Sequence, residues 1–113
     1  MKKLLLSCSI ILSILILSNC RTVKQAAATA KTTYTADIQP LVTTNCSPCH
    51  IPAKGGKVKA LDTYDAAKSE ADDIIRRIEL HPGEKGFMPF KRQRLSDSTI
   101  AVFKKWKEDG LLQ

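Results

Sequence analysis

Cys46-Ser47-Pro48-Cys49-His50 decides how the rest of this sequence is read. Two thiols three positions apart, with an imidazole beside the second, suit several chemistries. The thiols can close a tight disulfide with His50 incidental. They can form half of a zinc site, which needs four ligands. They can act as a redox dithiol, which wants a preceding strand and a βαβ surrounding. They can also bond two vinyl groups of one porphyrin while His50 binds the iron from below, Ser47 and Pro48 serving as spacers. The surrounding sequence discriminates among these. His81 is the only other Cys or His after residue 20 outside this motif, too few for zinc. No alternating strand pattern flanks the motif. Haem attachment is the expected chemistry, with Cys46, Cys49 and His50 as its site.

Upstream, Met1-Lys2-Lys3 precedes an uncharged run, 4–20. A basic start and an apolar stretch slightly short for a spanning helix read as an export signal, residues 1–19. Such a leader places the thiols in an oxidising compartment. Leu17-Ser18-Asn19-Cys20 resembles the bacterial lipobox, with Asn19 standing where a smaller residue is usual. Cys20 is therefore the expected lipidated first residue of the mature chain. A signal anchor, or cleavage elsewhere with Cys20 left free, are the alternatives. Residues 20–33 carry no hydrophobic period and read as a tether with an r.m.s. reach of roughly 20 Å.

The folded domain is expected over 34–113. Its charge is mild: five of the 18 basic residues lie in the leader and tether, leaving 13 against 11 acids. That balance excludes a strongly basic nucleic-acid module. The core is small, with three Phe, two Tyr and one Trp in all. A domain of this size often needs a staple, metal or cofactor.

The periodicity predicts an all-α domain. Thr35 is placed to cap a first helix carrying Ile38, Leu41 and Val42, with Pro40 near its start. Residues 51–61, with Pro52 and Gly55-Gly56, form a loop. A short helix follows Asp62 or Thr63. Ser69 to Asp72 resembles a capping box ahead of a face made by Ala71, Ile74, Ile75 and Ile78, stopped at His81-Pro82-Gly83. A second loop runs from Gly83 to Arg94. Ser96 caps a last helix burying Ile100, Phe103 and Trp106, with Leu95 and Ile100 as a staple and Gly110 as the stop.

In order and spacing these segments resemble the small monohaem cytochrome c domain family over residues 34–113. Asp37 to Leu41 is similar to its opening helix, Leu61 to Tyr64 to its middle segment, Met88-Pro89 to its distal ligand loop, and Leu95 to Gly110 to its closing helix. The resemblance implies three to four short helices around one covalent haem c, with first and last helices packed together. It also favours Met88 as the second axial ligand. Met88 is the only methionine beyond Met1, and His81 is the rival ligand. Thioether ligation raises the potential relative to two imidazoles.

The implied function is a one-electron carrier, not an enzyme, on the periplasmic side of a bacterial membrane. The alternative is a haem enzyme or a sensor of gas or peroxide with an open sixth site. Stretches 51–61 and 85–96 contain no acid, which reads either as solvation of two polar loops or as a docking face for an acidic redox partner, with attraction to anionic lipid as a third reading. Membrane attachment would run through the lipid on Cys20.

Overall fold

Proline at position 40 shapes the start of the fold. The computed structural model describes residues 30–113, so the expected export signal and Cys20 lie outside the described residues. A π-helical turn, Tyr34–Ile38, runs directly into α1, Gln39–Asn45. Pro40 has no N–H and its ring crowds the carbonyl four residues back. The wider turn before it accommodates this: the Ile38 amide reaches the Thr33 carbonyl at 3.3 Å, and Gln39 donates to Tyr34.

The cap is Thr33, not the expected Thr35. Thr33 is extended and its hydroxyl accepts from the Ala36 amide, while the Asp37 carboxylate accepts from the Thr33 amide at 2.8 Å. Thr35 lies inside the turn, so it lacks the extended backbone that a cap requires.

A 3₁₀ turn, Pro52–Lys54, interrupts the following loop. α2, Tyr64–Ser69, is capped by Thr63, and α3, Ala71–Glu79, follows at once. The Ser69 capping box is absent. Ser69 belongs to α2 and donates to the Ala66 carbonyl, and Glu70 joins the two helices without a side-chain cap. α4, Asp97–Glu108, starts at Ser96 as expected, with the Ser96 hydroxyl accepting from the Thr99 amide at 3.2 Å.

The described residues are helical and contain no strand, which agrees with the all-α expectation. One isolated parallel bridge joins Thr33 to Leu112. The first turn packs on α4, α4 on α3, and α3 on α2. Ile38, Val42, Phe103 and Trp106 are fully buried at the centre. Tyr34 stacks beside Trp106 with centroids 6.1 Å apart and meets Tyr64 edge-on at 5.8 Å.

Both ends of the described segment are tied into this aromatic cluster. The Leu112 carbonyl accepts from the Tyr34 amide at 2.8 Å and from Trp106 Nε1 at 2.7 Å. Tyr64 donates its hydroxyl to the Leu111 carbonyl, and the Thr32 amide donates to Asp109. The compact unit begins at Lys31. Three residues assigned to the tether by their polarity thus belong to the fold, held by backbone bonds that composition does not reveal.

Candidate functional site

The segment after α1 continues its end as a series of turns. The Cys46 amide donates to Val42, His50 to Cys46, and Ile51 to Pro48. The loop 51–61 then folds back on these turns. Val58 donates to the Cys49 carbonyl and Leu61 to the His50 carbonyl. Gly56 lies so close that a Cβ there would stand 2.5 Å from the Cys49 carbonyl oxygen and 2.6 Å from that of Pro48. The two thiols and the imidazole are thereby set on a backbone held from both sides.

His50 Nδ1 lies 2.6 Å from the Lys59 carbonyl. A carbonyl can only accept, so Nδ1 carries a proton, and the tautomer that can bind a metal is the one with its lone pair on Nε2. The Lys59 ammonium is paired with Glu70 across the same region. An imidazole fixed in this tautomer presents one nitrogen ready to bind a metal.

Cys46, Cys49 and His50 line a cavity of about 580 Å³. That volume falls within the range of roughly 300–1,000 Å³ that suits a cofactor or drug-sized ligand. Met88 lines the same cavity from the loop after α3. Apolar side chains from α3, α4 and the loops complete the wall: Leu61, Ile74, Ile78, Pro89, Leu95 and Phe103.

The loop bearing Met88 is anchored at several points. Phe87 and Pro89, its neighbours, are buried. The Met88 amide donates to the Arg77 carbonyl at 3.2 Å. Arg92 donates to the carbonyls of Thr44 and Asn45 at the end of α1, each at 3.3 Å. Phe90 and Val58, 67% and 52% exposed, contribute apolar surface to the rim. Lys91 lies over the Phe90 ring.

His81 is elsewhere. It is exposed and borders a separate open depression with Glu79 and Glu84, and it does not line the cavity. The sequence pattern showed only basic groups around Met88, yet Glu70 and Asp73 also line the cavity. Both carboxylates are paired, Glu70 with Lys59 and Asp73 with Arg76 and Arg77.

Compared with known proteins, the chain matches no family model, no curated protein and no solved structure. The site is therefore read from its chemistry. Cys46 and Cys49 are free thiols. Burial pushes the Cys46 thiol up to about 11, against the pull of Arg92. A catalytic dithiol needs the opposite shift, toward thiolate. Among the described residues no three His, Cys, Asp or Glu side chains converge as a metal-ligand group, whereas a structural zinc site needs four donors.

Haem fits the residues that are present. The cavity is largely apolar, has two thiols and an imidazole held through Nδ1 at one segment, and a thioether on another. The sequence placed Gly56 in a loop and Lys59 and Arg92 in the acid-free stretches beside the motif and Met88, but it did not show what they or Arg77 do in building the site. Lys59 acts through its backbone, which no side-chain motif signals. The Asp73–Arg77 spacing of four was legible as a helix ion pair, but its proximity to the Met88 loop was not.

Proposed function

We propose that this chain is a monohaem c-type cytochrome that carries one electron at a time. The observation supporting this most strongly is that Cys46, Cys49, His50 and Met88, drawn from two distant segments, line one apolar cavity. Bound there, a haem supplies an iron that exchanges a single electron. The Cys46 and Cys49 thiols would hold it covalently, each S–H adding across a vinyl C=C so that sulfur takes one carbon and the proton the other. His50, held through Nδ1 by the Lys59 carbonyl, would offer Nε2 to the iron, and Met88 would offer its thioether sulfur.

The helices then correspond to a cytochrome c-like fold, with the turn 34–38 and α4 as the packed first and last elements. Carrier function gains support over an enzyme or sensor because Met88 lines the cavity and both nearby carboxylates are held in ion pairs. Among the described residues, neither carboxylate that lines the cavity is left unpaired to activate a bound small molecule.

The leader and Cys20 support an extracytoplasmic location with a lipid anchor. Exposed Phe90 and Val58, with Lys54, Lys57, Lys59, Lys91 and Arg92 on the same two loops, support docking of an acidic redox protein at the cavity rim. The docking rate is expected to fall steeply as salt shortens the Debye length to about 10 Å at 0.1 M.

The deciding experiment is the mass of matured protein. Addition of one haem that survives denaturation, lost in Cys46→Ala/Cys49→Ala, supports the proposal. A mass with no added macrocycle from a host that matures other c-type cytochromes would overturn it.

A further inference from the structure

We infer that Arg77 is a positioning residue that holds Met88 over the cavity, an inference resting on Met88 being an axial ligand. Its backbone and side chain grip the same short stretch of loop. The Arg77 carbonyl accepts from the Met88 amide at 3.2 Å, and Arg77 Nη1 donates to the Gly86 carbonyl at 3.3 Å. Residue 77 is thus bonded both at position 88 and two residues before it.

Two neighbours make this grip available. The Arg77 carbonyl is among the last four of α3, which have no partner within the helix. Continuing the helix would require the His81 amide to take it. Glu84 instead accepts the His81 amide on its carboxylate, leaving the Arg77 carbonyl to the Met88 amide. Asp73, one turn back on α3, accepts from Arg77 Nε and fixes the guanidinium. The paired guanidinium is planar, so fixing Nε also aims Nη1.

Arg77 lines the cavity but is not itself a ligand. Its effect passes through the loop. When the brace is absent, the loop spends more time open and the sixth position becomes free. A small competitor reports this directly, since its apparent affinity scales with the fraction of open protein.

The test uses matured full-length protein and imidazole as the competing ligand for oxidised iron. Arg77→Gln removes the charged hydrogen bonds and keeps the backbone bond. Its apparent imidazole affinity is expected to rise about tenfold, within the effect of one lost charge-assisted hydrogen bond. Hydrogen exchange at the amides of residues 86–88 is expected to quicken by a similar factor, with covalent haem retained. Arg77→Lys, which keeps the charge but loses the fork, is expected to fall between.

A merely structural role for Arg77 would lower global stability and leave both readouts, corrected for that loss, where they were. That result would overturn the inference. Met88→Ala is the control for the underlying reading. If it binds imidazole no better than the parent, Met88 is not the ligand and the inference fails with that reading. If it binds far better while Arg77→Gln matches the parent, the ligand reading stands and the brace alone is refuted.

Discussion

Replacing Gly56 by alanine places a Cβ 2.5 Å from the Cys49 carbonyl oxygen, 2.6 Å from that of Pro48 and 2.8 Å from that of Ile51. Ordinary contact begins at 3.4 Å, so the nearest carbonyl must retreat by about 0.9 Å (3.4 less 2.5). All three obstacles are backbone, and no side-chain rotation relieves them. Overpacking of this kind costs roughly 1–3 kcal/mol, and loss of the bond from the Gly56 amide to Ile51 adds about 1 kcal/mol. The total expected destabilisation is about 2–4 kcal/mol. The displaced carbonyls belong to the segment carrying Cys49 and His50, so the yield of covalent haem should fall with stability. Gly55→Ala is the matched control. Gly55 has φ +83° and open space around it, so alanine there costs about 1–2 kcal/mol of left-handed strain without pushing on the motif. Urea unfolding followed by circular dichroism, with haem yield by mass, compares the two. Normal haem yield and a change under about 0.5 kcal/mol in Gly56→Ala, within the ordinary range for surface changes, would refute the reasoning.

Met88→Ala is expected to open the sixth position, lower the potential and leave both thioethers intact; an unchanged spectrum and potential would remove Met88 from the iron. The Tyr34 hydroxyl is buried without a hydrogen-bond partner, whereas that of Tyr64 donates to Leu111 at 2.9 Å. Tyr34→Phe should therefore leave stability unchanged or raise it by about 1 kcal/mol, and Tyr64→Phe should lower it by a similar amount; a reversed order in urea midpoints would contradict the hydrogen-bond assignment. Hydrogen bonds from Lys105 and then from the Thr32 amide hold the Asp109 carboxyl below its ordinary 3.8. Its contribution is complete above that value and lost as pH falls through the lower folded value. Asp109→Asn is thus expected to reduce stability at neutral pH and to flatten the acid limb below about pH 4, as measured by thermal melts across pH.

Much of this architecture follows from local pattern. The apolar spacing Ala71, Ile74, Ile78 and Ile100, Phe103, Trp106 places buried faces on α3 and α4, because a 3.6-residue period leaves no other way to hide those side chains. Ser96 and Gly110 mark the ends of α4 for equally local reasons. Local pattern was insufficient at the first turn. It pointed to Thr35 as the cap, whereas the cap is Thr33, which bridges to Leu112, 79 residues further along the chain and outside any sequence window.

The site divides in the same manner. Cys46, Cys49 and His50 are adjacent in sequence, so their joint chemistry could be proposed without coordinates. The family resemblance favoured Met88 over His81, but only the tertiary structure put Met88 on their cavity and left His81 off it, since that depends on how the loop after α3 returns across the helix end. It alone set the His50 tautomer through the Lys59 carbonyl, and drew Glu70 and Asp73 to the cavity already paired. Covalent neighbours carry their meaning along the chain. Contacts closed by hydrogen bonds between distant backbone groups, which every residue type possesses, acquire theirs only when the chain is folded.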